Sequence, residues 1–281
     1  MIRFDHVSAA YAAQTPVVRD ADFTIEDGEF VAFVGTNGAG KSTTMRLCNG
    51  LLKATEGRVL VDGTPTTELR TSELARRVGF LFQNPDRQIC CKTVREELAF
   101  GFRAQGALTD EARARVDATI ERFGFDAAAE PYLLNRGTRQ LLALASIVVM
   151  EPDTIILDEP TTGLDFRECE KVMGVIADLH ARGTTVVMVC HDMEVVADYA
   201  ERVIVMASGE VVASGPTFEV LRRRDVLERA GLVAPQVVDV SMRLVERHPE
   251  LAATPIARAN TLDEMTAAIE AYVAEAKEDP R

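Results

Sequence analysis

The sequence predicts an α/β protein with a buried, largely parallel sheet, and three stretches carry that prediction. Gly35-Thr36-Asn37-Gly38-Ala39-Gly40-Lys41-Ser42-Thr43 matches the phosphate-loop pattern G-x-x-x-x-G-K-[ST] in full. The apolar run Thr154-Ile155-Ile156-Leu157 ends in the carboxylate pair Asp158-Glu159 and stops at Pro160. Thr184-Thr185-Val186-Val187-Met188-Val189-Cys190 is a continuous apolar strand of the kind that parallel sheets bury on both faces, and it ends at His191.

Each element follows from its residues. Ile2 to Val7 alternates as a strand, and Val17 to Ile25 reads as a second one, broken at Arg19-Asp20, before a turn at Asp27-Gly28. Tyr11 lies between them, where its ring either stacks on a nucleotide base or packs on the sheet. Glu29 to Val34 is a short buried strand, and the helical spacing of Thr44 to Asn49 stops at Gly50. That is the strand–loop–helix context a phosphate loop needs, with glycines letting backbone N–H groups and the helix N-terminus face an anion. Lys41 would reach the outer phosphates and Ser42 would ligate Mg²⁺.

Gly57 to Gly63 reads as a strand closed by a turn, and Val78 to Phe82 as another that delivers Gln83 to a proline-terminated loop. The Gln83 amide there could bind Mg²⁺ or a water. From Thr93 to Met150 the pattern is helical, with helices expected at Asp110–Phe123 and from Arg139 to Met150. Asp158 at its strand end would orient Mg²⁺, and Glu159 would polarise a water for attack on the γ-phosphate. A helix from about Asp165 to Ala181 follows. His191, at the end of a parallel strand, stands where ligands bind in such sheets.

Composition bounds the rest. The chain has 281 residues, 47% apolar and 27% charged, which suits one or two folded domains. With 31 basic against 44 acidic residues the net charge is −13, which argues against a nucleic-acid partner. The five cysteines (Cys48, Cys90, Cys91, Cys169, Cys190) show no metal-ligand spacing and read as scattered reduced thiols of a cytosolic protein. Met1 to His6 lacks the apolar core of a signal peptide, and no apolar run approaches the roughly 18 residues of a membrane span. A soluble chain that reaches a membrane only through a partner is therefore expected.

With these elements in order, residues 1 to about 230 resemble ABC-type ATPases, the nucleotide-binding subunits of ATP-driven transporters. The resemblance implies a RecA-like P-loop core with an N-terminal antiparallel β edge, a helical subdomain at about 90–150 and a small C-terminal helical extension. It divides the chain into an ATPase domain at 1–231 and an extension at 232–281 that could serve dimerisation. Tyr11 matches the adenine-stacking aromatic, Gly35, Asn37, Gly38, Gly40, Lys41, Ser42 and Thr43 the ATP-binding Walker A loop, and Gln83 the Q-loop. Asp158 and Glu159 match Walker B and the catalytic glutamate, Asp165 the D-loop and His191 the switch histidine. Ser42, Gln83 and Asp158 are the implied Mg²⁺ ligands. Leu81 to Ile89 and Thr93 to Gly101 look like the energy-coupling-factor and cobalt-type importers.

One segment departs from the family. The signature L-S-G-G-Q, which crosses to the partner's ATP, falls on Leu134-Asn135-Arg136-Gly137-Thr138 and keeps only Leu134 and Gly137. An intact Walker side beside a degenerate signature implies a heterodimer with a second ABC ATPase, with a homodimer as the alternative. The resemblance further implies a transmembrane coupling protein, a small substrate-binding membrane subunit for a vitamin or metal ion, and a place on the cytoplasmic face of the cell membrane. A soluble non-transport ABC ATPase and a catalytically weak nucleotide-gated scaffold are the rivals. In the tail, Val237 to Val245 reads as a helix broken at His248-Pro249. Thr261 and Glu264 form a capping box before the stripe Leu262, Met265, Ile269 and Val273. Arg222-Arg223-Arg224 reads as a solvated helix face, and Glu278 to Arg281 as a frayed end.

Overall fold

The computed structural model describes residues 1–11 and 16–278, with side chains to 274; of the expected frayed end, 279–281 lie outside the described residues. The strands are β1 (Ile2–Ala9), β2 (Val18–Ile25), β3 (Phe30–Val34), β4 (Glu56–Val61), β5 (Thr64–Pro65), β6 (Val78–Leu81), β7 (Thr154–Asp158), β8 (Thr185–Val189), β9 (Arg202–Ala207) and β10 (Glu210–Pro216). They form a four-stranded antiparallel sheet, β2-β1-β4-β5, and a six-stranded sheet, β10-β9-β3-β8-β7-β6. In the larger sheet every pairing from β9 to β6 is parallel, and β10 alone runs antiparallel.

The antiparallel strands near the N-terminus thus make a sheet of their own. Its apolar face packs on one side of the parallel sheet, where Phe4 stacks on Phe23 at 4.4 Å and Phe23 meets Phe33 edge-on at 5.5 Å. Arg19 and Asp20 do not break β2. Asp20 takes a positive φ of 42° where the β1–β2 register shifts, so the strand bulges and continues. The opposite face of the parallel sheet is covered by helices, among them Asp110–Phe123, Arg136–Val148 and Phe166–Ala181, around a core that includes Leu142, Leu157, Ile176 and Met188. The helix expected from Arg139 begins at Arg136, because the Asn135 carboxamide caps it by accepting from Thr138 N at 2.8 Å. Strands β9 and β10 and the helix Met193–Tyr199 were not anticipated from the sequence.

The tail has its own small core of Leu251, Ile256, Ala259, Met265 and Ala268 under the helices Gln236–Arg247 and Leu262–Glu278. The capping box forms as expected, with Glu264 N donating to Thr261 Oγ1 at 3.2 Å and Thr261 N to Glu264 Oε2 at 3.3 Å. Of the expected stripe only Met265 is buried; Leu262, Ile269 and Val273 remain exposed.

The arginine triple is not a uniform solvated face. Arg223 and Arg224 pair at the surface with Asp225 and Glu246. Arg222 turns inward and donates to the carbonyls of Ala257 (2.9 Å) and Ala259 (2.7 Å), to Ser241 Oγ (3.1 Å) and to Asn260 Oδ1 (2.9 Å). One guanidinium thereby stitches the tail to the end of the core that bears the phosphate-loop motif. Arg222→Ala should cost about 2–3 kcal/mol, because the freed carbonyls lose a charged donor. Denaturant unfolding should show that loss, and hydrogen exchange should localise it to residues 249–260.

Candidate active site

The parallel register decides what meets at the site. Leu81 pairs with Leu157, Asp158 with Val189, and Phe33 with both Val189 and Ile204, so β3, β6, β7 and β8 end along one edge. The loops carrying Gly35, Gln83, Glu159 and His191 all leave from there. At that edge the phosphate loop wraps so tightly that a Cβ on Gly35 would stand 2.1 Å from the Met206 carbonyl oxygen, and one on Gly40 2.9 Å from that of Val17. Glycine is required at both. Asn37 and Gly38 form the exposed apex, Gly38 with φ +81°.

Lys41 is buried, and its ammonium donates to the carbonyls of Gly35 at 2.7 Å and Thr36 at 3.0 Å. Burial pushes its pKa down, against the pull of the Glu159 and Asp158 carboxylates. Ser42 Oγ donates to Asp158 Oδ1 at 3.0 Å. Asp158 is itself buried, and that desolvation lifts its carboxyl above the ordinary range, with the Ser42 hydrogen bond opposing. Tyr11 is tied down through its hydroxyl. Its hydroxyl lies 3.3 Å from Thr43 Oγ1 and accepts from Arg46 at 3.0 Å, which leaves the ring half exposed beside the loop.

Glu159 is the hub. Its Oε2 accepts from Gln83 Nε2 at 2.7 Å and from Thr162 Oγ1 at 3.0 Å, and its Oε1 lies 2.7 Å from His191 Nε2. An ionised carboxylate can only accept, so the histidine donates. Its backbone has φ +54°, a conformation that costs a non-glycine residue on the order of 1 kcal/mol, while its N–H donates to Val189 O at 3.0 Å.

The four signature positions make no hydrogen bond to the phosphate loop among the described residues. Asn135 caps its helix, and Gly137 lies so close to Glu168 that a Cβ would meet its carboxylate at 2.0 Å. Thr138 lies in the first turn of that helix. Arg136 Nη2 donates to Thr162 O at 3.0 Å, and its guanidinium lies against Gly163, whose φ is +74°. Asp165 caps the helix Phe166–Ala181 in a capping box with Glu168.

Three further residues take structural roles that the sequence reading did not assign. Thr162 carries no motif position, yet it holds Glu159. Gln140, buried in an apolar helix face, donates to Pro160 O at 3.0 Å. Gln88 accepts from Phe82 N at 3.2 Å and donates to Ala143 O at 3.0 Å, which ties the Gln83 segment to the helix that starts at Arg136. Gln88 was legible only as part of the Leu81–Ile89 resemblance, and the polar Gln140 amid apolar neighbours was a signal of its own.

The profile of the ABC transporter family matches residues 18–162. The chain belongs to the ABC transporter ATPase family. Its relatives place it in the energy-coupling-factor branch. The energy-coupling factor transporter ATP-binding protein EcfA of Methanothermobacter thermautotrophicus is 38% identical over 248 residues, 87% of this chain and 80% of that protein. EcfA2 of Symbiobacterium thermophilum is 39% identical over 282 residues and covers 97% of this chain and 96% of its own. This chain spans only 40% and 43% of two longer ABC transporter ATP-binding proteins that it also matches. Among solved structures, CbiO1 from Clostridium perfringens, described as part of the CbiONQ transporter complex, superposes with a TM-score of 0.71 at 29% identity over 89% of this chain and 96% of that one. As an ABC ATPase this chain uses ATP, and no helix among the described residues is long and apolar enough to cross a membrane.

The raised Asp158 carboxyl gives a signed expectation. A group whose folded pKa is raised contributes stability that is fully present below its unfolded pKa, near 3.8, and that is lost as pH rises through the folded value. Asp158→Asn should therefore raise the melting temperature of the nucleotide-free protein at neutral pH. The gain should vanish as pH falls below the ordinary aspartate range, which thermal melts across pH would show.

Proposed function

We propose that this ABC ATPase powers uptake by an energy-coupling-factor importer from the cytoplasmic face of the membrane. In this reading it forms one half of an ATPase heterodimer seated on a transmembrane coupling protein, beside a small substrate-binding membrane subunit. The observation that carries the reading is the Glu159 carboxylate, gripped by Gln83, Thr162 and His191 at the edge where Lys41 and the Asp158–Ser42 pair also converge.

The donor set suits a hard cation. The Ser42 hydroxyl and Asp158 carboxylate already touch, and Gln83, bonded to Glu159 through Nε2, keeps an amide oxygen to offer, an all-oxygen set of the kind Mg²⁺ takes. When bound, Mg²⁺ neutralises phosphate charge. The glycine-bounded loop presents its N–H groups to the phosphates, and Lys41 leaves its carbonyls to meet the outer ones. Tyr11 offers a ring face to the adenine. Glu159 holds and polarises the attacking water as general base. Its backbone conformation aims the carboxylate, and His191 keeps it oriented and contacts the γ-phosphate. Asp165 sits at the head of its helix, where a partner ATPase would approach.

Two features support the partners. A largely apolar groove of ≈ 330 Å³, lined by Leu51, Phe80, Phe82, Phe100 and Met150, opens beside the Gln83 segment and the helical insert. Motion of Glu159 would reach it through Gln83 and Gln88. The exposed Leu262, Ile269 and Val273 on the last helix offer a face for the second ATPase. The altered signature supports a division of labour in which this chain supplies Lys41, Asp158, Glu159 and His191 to one consensus site and the partner supplies its signature.

Glu159→Gln should lower ATP turnover of the assembled complex by roughly 10²–10⁴-fold while leaving ATP binding intact. Turnover near that of the unmodified complex would overturn the consensus-site assignment. Affinity purification from detergent-solubilised membranes should bring down a second ATPase and two membrane proteins. One membrane protein and no second ATPase would favour a homodimer, and no membrane protein would overturn the importer reading.

A further inference from the structure

Outside the nucleotide site, one cluster among the described residues brings metal-ligating groups together. Cys90 and Cys91 leave the Gln83 segment just before the helix Val94–Leu98, which carries Glu97. One ligand atom from each of the three lies within 4.8 Å of the others. Glu97 is 3% exposed, and its Oε2 accepts the N–H groups of Cys90 at 2.9 Å and Cys91 at 2.8 Å. A carboxylate has about four lone-pair sites, so a second oxygen remains for a cation. On the outer side Cys90 is exposed, which gives a path of entry.

We propose that Cys90, Cys91 and Glu97 form a binding site for a soft divalent cation, Zn²⁺ being the best match. Two sulfurs and a carboxylate oxygen are a zinc-type donor set, with the fourth position left to water. Binding releases the two thiol protons to solvent. The two thiolates and the carboxylate then carry three negative charges, which the dication and the Arg103 guanidinium, 3.8 Å from Cys91 Sγ, balance. Arg103 is held in place by donating to the Glu96 carbonyl as well. The segment is fixed from the other side too, since Tyr132 Oη donates to Ile89 O at 2.6 Å. A bound ion would therefore fasten the stretch after Gln83 to the first helix of the helical insert. The adjacency of two cysteines with a glutamate six residues on resembles no ligand spacing, and only the turn into the helix brings them together.

The test uses the purified full-length protein, reduced, stripped by chelator and titrated with Cd²⁺ as a spectroscopic stand-in for Zn²⁺. One equivalent per chain should bind with a thiolate-to-cadmium charge-transfer band in the ultraviolet. The band should be lost in the doubly substituted Cys90→Ser/Cys91→Ser protein and kept in Cys169→Ser. Circular dichroism and basal ATP turnover, which these cysteines do not serve, would show that the double variant is folded. Absence of the band, or a band of unchanged size in the double variant, would overturn the proposal. Zn²⁺ added first should block the cadmium band, and failure to compete would overturn zinc as the fitting ion.

Discussion

The parallel register of β3, β8, β7 and β6 is the constraint on which the site depends. A strand slipped by one residue turns every side chain to the opposite face. Here such a slip would turn Asp158 away from Ser42 and carry Glu159 away from Gln83 and His191. Burial on both faces forbids it, because Ile155, Ile156, Leu157, Val186, Val187 and Met188 are all fully enclosed. The polar atoms that must meet therefore need no long-range recognition of their own. Each is the next residue, or nearly so, after a strand whose position hydrophobic packing has already fixed.

Within that frame the carboxylates carry opposed roles. Asp158 lies in the sheet end, where desolvation penalises its charge and one hydroxyl offsets part of the cost. Glu159, one residue on, has left the strand with a positive φ and gathers donors from its own turn and from two other loops. A carboxylate held between two other loops registers the movement of either. The Gln83 loop is fastened in turn to the helical insert through Gln88, so the apolar groove and Glu159 belong to one connected network.

Much of this was legible in the residues. The phosphate loop, the Asp158-Glu159 pair and the strand ending at His191 were readable because each joins a fixed local pattern to a buried strand. The helix Asp110–Phe123 and the Thr261 capping box were readable because their chemistry is local. Other features were not. Strands β9 and β10 complete the sheet by pairing with β3 and with each other, and nothing within residues 202–216 announces that partner. Arg222 looked like part of a charged run because only the fold of the tail brings the Ala257 and Ala259 carbonyls to it. The helix start at Arg136 was hidden because Asn135 was weighed as a signature residue and not as a cap.

That last misreading bears on how the altered signature works. Arg136 puts a bulky cation where the family's signature has a glycine. In this chain the guanidinium lies back along its own Thr162-Gly163 turn, and Gly163 leaves the space a side chain would fill. Thr162 in turn holds Glu159. A residue at a signature position of the family is thereby engaged with the loop that holds Glu159. The bond is a single one to a neutral carbonyl on an exposed surface, about 1 kcal/mol net, so a nearby phosphate could draw the cation away. Doing so would release the turn beneath Glu159. In the heterodimer proposed above, engagement of the partner's nucleotide by Arg136 and firm placement of Glu159 would be set against each other, in keeping with only one of the two composite sites depending on this signature.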